Sequence, residues 1–86
     1  MKIVGLNSFN DKKGNSWLVL YGVQKFSFPE GKKGYETTSH WFKNPDPAVI
    51  DKCDLGAEVE VLYKKDGNNS RAFDVVPSED NIDPEF

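Results

Sequence analysis

What most constrains the fold is where the chain breaks. Short β-rich runs alternate with reversals containing Gly, Asn or Pro, and a helix start occurs at a single place. Lys2 to Phe9 alternates weakly and runs into Asn10-Asp11-Lys12-Lys13-Gly14-Asn15, a polar cluster suited to a hairpin. Ser16 to Phe28 is rich in Val, Leu and aromatic residues, leaves no polar helical face, and reads as a long second strand. Pro29, Gly31 and Gly34 bracket a loop, and Tyr35 to Lys43 forms the third strand. Asn44-Pro45-Asp46-Pro47 stops it, because neither proline can donate to a ladder. Asp46 as a cap and Pro47 at the first helical position predict a helix of one or two turns. Leu55-Gly56 ends the connection. Val59, Val61 and Tyr63 then alternate with Glu58 and Glu60 as a half-buried fourth strand. Asp66-Gly67-Asn68-Asn69 turns the chain into a fifth strand, Arg71 to Val76, with Phe73 and Val75 on one face.

Three strands, a short helix and a closing hairpin predict an all-β, five-stranded OB-fold-like barrel with its helix between strands 3 and 4. An SH3-like barrel also has five short strands, but its helical element more often falls late in the chain. At 86 residues there is room for one domain, expected over residues 1–77, followed by a flexible acidic tail over 78–86.

The formal charge of -3 is unevenly distributed. Residues 1–77 carry all 11 basic groups against ten acids, whereas the tail adds Glu79, Asp80, Asp83 and Glu85 and nothing basic. A near-neutral body is compatible with nucleic acid where the whole-chain average argues against it. No apolar run approaches the roughly 20 residues that span a bilayer, and no secretory signal opens the chain, so a cytoplasmic protein without membrane contact is expected. One cysteine excludes an internal disulfide, and no Cys/His spacing suits a metal; neither metal nor cofactor is expected.

Catalytic constellations are nearly absent, so no enzyme is expected: there is one His, one Cys, no nucleophile elbow and no phosphate-cradling loop. His40 reads as a solvent-facing or hydrogen-bonded strand histidine, and Cys53 as a small core residue. The basic residues say more, because they pair at strand ends. Lys12-Lys13 and Lys32-Lys33 lie in the first two connections, Lys64-Lys65 enters the last, and Arg71 leaves it. In an OB-type barrel the first and last of these loops flank the face of strands 2 and 3, where a single strand runs. Lysines in turns also serve solubility and edge protection.

Strand 2 is apolar on both faces, with Leu18 and Leu20 on one and Trp17, Val19, Tyr21 and Val23 on the other. Strand 3 sets Tyr35 and Trp41 opposite Phe42, Thr38 and His40. Only one face can be interior. Rings on the other, flanked by Lys25 and Lys43, suit base stacking, or the burial of a dimer interface or barrel corner. The sequence leaves open which face points inward.

The closing stretch, from Leu55-Gly56 through Val59 and Val61, the Gly67 turn and Phe73-Asp74-Val75-Val76-Pro77, carries a family resemblance. It resembles the small single-stranded DNA-binding proteins of phages and conjugative elements, of the filamentous-phage helix-destabilising type, which are OB-fold dimers of nearly this length. The tail separately resembles the acidic tip by which bacterial single-stranded DNA-binding proteins dock partners. Here Ile82, Pro84 and Phe86 are interrupted by Asp83 and Glu85, unlike the contiguous Ile-Pro-Phe ending. The resemblances imply a sequence-indifferent single-stranded DNA-binding homodimer active in replication, with a tail that docks a replication or host protein. The rival expectations are a phage or plasmid regulator that binds a host protein through its aromatic face, and an RNA-binding cold-shock-like domain.

Overall fold

The computed structural model describes residues 1–78, and all of the following concerns them. Five strands and one short helix follow the expected order: β1 (Lys2–Asn10), β2 (Ser16–Gln24), β3 (Glu36–Lys43), α1 (Pro47–Asp51), β4 (Val59–Asp66) and β5 (Asn69–Pro77). The all-β class is as expected. The strands form two antiparallel sheets, β1-β2-β3 and β4-β5, and these do not close into one continuous hydrogen-bonded barrel. At one side β1 does reach the start of β4. Ile3 N–H donates to Ala57 O at 3.0 Å, Gly56 N–H to Ile3 O at 2.7 Å and Val59 N–H to Met1 O at 2.9 Å. At the other side β3 and β5 approach each other without a ladder.

The first hairpin is built by Asp11. Its Oδ1 accepts the backbone N–H groups of Lys13 and Asn15, each at 2.9 Å, and Gly14 adopts φ 85°, which an L side chain rarely does. The helix starts where its cap predicts: Asp46, with extended backbone, accepts the Ala48 N–H at 3.0 Å, and Pro47 opens the first turn.

The core lies between the sheets. Ile3, Leu18, Leu20 and Phe42 project from the three-stranded sheet onto Val59, Ala72 and Val75 of the hairpin, and Val49 and Cys53 close one end. Burial of each large side chain contributes roughly 1.5–3 kcal/mol. Met1 lies across Gly22, where an added Cβ would sit 2.2 Å from the Met1 Cγ and Sδ; glycine there admits the methionine. Cys53 is buried, its Sγ donates to Val49 O at 3.2 Å, and burial raises its thiol pKa, as befits a core residue.

Three expectations are corrected. Strand 2 ends at Gln24, not Phe28, because β3 begins at Glu36 opposite Gln24 and residues 25–28 have no partner strand; Phe28 is 77% exposed. Lys64 and Lys65 belong to β4 itself, which continues to Asp66. Phe73 and Val75 do not share a face. A bulge between Leu62 and Tyr63 leaves Phe73 unpaired between Ala72 and Asp74, so Ala72 and Val75 turn inward and Phe73 outward.

Candidate nucleic-acid interface

With Leu18, Leu20 and Phe42 inward, the other face of β1-β2-β3 is outward. Register sets Asn7, Val19 and Trp41 side by side on it, and Phe9, Trp17 and Lys43 in the next row toward the first hairpin. Three rings meet here. Phe9 stacks on Trp17 at 6.4 Å between centroids and 13° between planes, and Trp41 meets both edge-on at 6.0 and 6.1 Å. Val19 is fully buried on this outward face, whereas Trp41 remains 51% exposed, Tyr21 41% and Phe9 38%.

The cluster is held by local polar contacts. The Trp17 Nε1–H donates to Asp11 Oδ2 at 3.0 Å. That bond, with those from Asn15 and Lys13, lowers the Asp11 pKa from 3.8 to about 2. Asn44, in the left-handed region at φ 47°, accepts the Ser16 N–H on its Oδ1 at 2.8 Å and reaches Asn15 Oδ1 with its amide at 3.1 Å. The end of β3 is thereby tied to the first hairpin, and Trp41 and Lys43 to Trp17.

The basic candidates fall in three places. Lys12 and Lys13 project from the hairpin that follows the Phe9–Trp17 row. Lys43 and Arg71 line a groove of about 390 Å³ with Trp17, Trp41 and the β4–β5 turn. Arg71 pairs with Asp66 at 3.0 Å. Lys25, Lys32, Lys33 and Tyr35 lie at the opposite end, in the β2–β3 connection, where Lys32 covers the Phe26 ring at 5.3 Å. Lys64 lies over Phe73 at 5.4 Å on the outside of the hairpin, and Lys65 is exposed beside it in β4. The structure therefore gathers Trp17, Trp41, Lys43 and Arg71 into one surface with Lys12 and Lys13 at its rim, leaves Tyr21 on the same outward face one row beyond Trp41, and separates the rest. Ile82, Pro84 and Phe86 lie outside the described residues.

Sequence reading missed Phe9, whose weakly alternating strand gave no sign of its register, and Asp11, read only as a turn residue. His40, read as a solvent-facing or hydrogen-bonded strand residue, is hydrogen-bonded. The His40 Nδ1 bonds the Tyr63 hydroxyl, and Nε2 lies 3.2 Å from Thr38 Oγ1. This pair links β3 to β4 across the side where no ladder forms. Burial, aided by the N-terminal ammonium, lowers the His40 pKa from 6.5, and burial raises that of Tyr63. Among the described residues no group of three His, Cys, Asp or Glu side chains is placed to hold a metal, and no helix is long and apolar enough to cross a membrane. No family model, curated protein or solved structure matches the chain.

Proposed function

We propose that the chain is a non-enzymatic, sequence-indifferent single-stranded DNA-binding protein. In this reading the two sheets act as an OB-type five-stranded barrel, open between β3 and β5. The observation that carries it is the Phe9–Trp17–Trp41 cluster on the outward face of a sheet, with Trp41 half exposed beside Lys43. Every base has a π-face, so exposed rings stack bases without selecting among them. The Trp17 Nε1–H is already given to Asp11, so that ring offers a surface and no hydrogen bond with which to read a base edge. Lys12, Lys13, Lys43 and Arg71 supply positive charge for the phosphates around the rings. The near-neutral body implies modest affinity that leans on stacking.

The test is a titration with oligothymidylate at two salt concentrations, read by quenching of Trp17 and Trp41 fluorescence. Quenching that weakens steeply with salt is expected; no quenching at low salt overturns the proposal. Competition by matched RNA and DNA oligomers separates this reading from an RNA-binding one. A homodimer, in keeping with exposed Val4, Leu6, Ile50 and Leu55, is part of the proposal and is decided by light scattering.

A further inference from the structure

One ion pair lies in the groove beside the rings. Arg71 Nη2 lies 3.0 Å from Asp66 Oδ2 at the β4–β5 turn, and both side chains are about half exposed. Both line the groove of about 390 Å³ that Trp41 and Lys43 also line, and Asp66 is the sole acid among the described residues there. That volume falls within the roughly 300–1,000 Å³ typical of small-ligand clefts.

We infer that this groove holds one nucleotide unit of the single strand, with its base against Trp41 and its phosphate replacing Asp66 on Arg71, so that Asp66 is a built-in competitor that weakens binding. The inference rests on the single-strand reading above. A guanidinium fork receives carboxylate and phosphate oxygens with the same paired N–H geometry, so the two acceptors are interchangeable at Arg71. The resident pair is easily given up, because water screens exposed partners and holding two flexible side chains costs entropy. Lys43 on the β3 wall of the groove supplies a second cation, and the Ser39 and Ser70 hydroxyls supply neutral donors. Asp66 thus offsets one of two positive charges until a phosphate displaces it.

The experiment uses the full chain and oligothymidylate at about 50 mM salt, where phosphate contacts count most. It compares the wild type, Asp66→Asn, Arg71→Ala and the double variant, with Asp66→Ser as a second neutral replacement. Asp66→Asn and Asp66→Ser are expected to tighten binding roughly 1.5- to fivefold. Arg71→Ala weakens it and flattens the log-log salt slope by about 0.7, the value for one phosphate contact on a single strand. In the Arg71→Ala background the Asp66 replacements change nothing, which marks direct competition. Two results overturn the inference while leaving the single-strand reading intact. One is a wild type that binds and Asp66 variants that bind no tighter; the other is equal tightening with and without Arg71, which would make Asp66 only a nearby charge. A wild type that does not bind overturns the single-strand reading and this inference together.

Discussion

Trp17 Nε1–H and Asp11 Oδ2 meet at 3.0 Å, so one carboxylate shapes the first hairpin and fixes the ring beside it. Its other oxygen caps the Lys13 and Asn15 amides, so loop geometry and ring orientation depend on the same ionised group. The Asp11 pKa falls to about 2 when folded, below its ordinary 3.8, and the unfolded chain therefore binds the proton first. The stabilisation is complete above about pH 4 and is lost as pH falls toward 2. Trp17 emission and the amide shifts of Lys13 and Asn15 should hold steady down to about pH 3 and then move together as Asp11 takes up its proton near pH 2. Asp11→Ala should produce that altered emission at neutral pH and remove the low-pH transition.

Trp41 and Phe42 are neighbours in sequence and opposite in consequence. Trp41 is 51% exposed on the outward face and Phe42 is 1% exposed in the core. Trp41→Ala should lower the urea midpoint less than Phe42→Ala does, since it removes only two edge contacts and a half-buried ring, and should weaken oligothymidylate binding by about 5- to 150-fold, the equivalent of roughly 1–3 kcal/mol per stacked base. Phe42→Leu should destabilise the fold measurably in urea and spare affinity per folded molecule; complete truncation to Ala should cost roughly 3–5 kcal/mol.

The two loop lysine pairs should differ in effect although they look alike in sequence. Lys12 and Lys13 follow the Phe9–Trp17 row, whereas Lys32 and Lys33 lie at the far end of the sheet and Lys32 covers Phe26. Replacing Lys12 and Lys13 by Gln should reduce the log-log salt slope of oligonucleotide binding by about 1.4, two contacts at about 0.7 each. The same change at Lys32 and Lys33 should alter it by much less, as salt titration of both variants would reveal.

His40 joins β3 to Tyr63 of β4 where the sheets share no ladder, and burial favours its neutral form. A folded pKa below 6.5 means that the unfolded state takes up the proton more readily, so stability is full above about pH 6.5 and declines as pH falls toward the lowered folded value. Denaturant midpoints measured from pH 7.5 to 5 should fall, and the decline should be shallower in His40→Gln.

Strand number and order, the helix start and the hairpin positions were legible because turn and cap chemistry is local: Asp46-Pro47 and the Asp11–Asn15 cluster act on the residues next to them. The extent of β2 was not, since residues 25–28 have strand-forming side chains and end up without a partner. The faces of β5 were not either, because period-two reasoning fails at a bulge, and the extra residue that turns Phe73 outward is defined only by pairing with β4.

By itself the sequence determined an all-β chain whose second and third strands carry more large apolar side chains than one core face can take. Tertiary structure decided which of them are spare. Packing of Leu18, Leu20 and Phe42 against Ala72 and Val75 turns Trp17 and Trp41 outward, and cross-strand register brings Phe9 to them. The same pairing divides the lysines, setting Lys12 and Lys13 near those rings and Lys32 and Lys33 at the far end. Side-chain alternation follows from the backbone of a single strand, whereas the choice of inner face and the meeting of distant residues depend on which strands pair and what the core must bury.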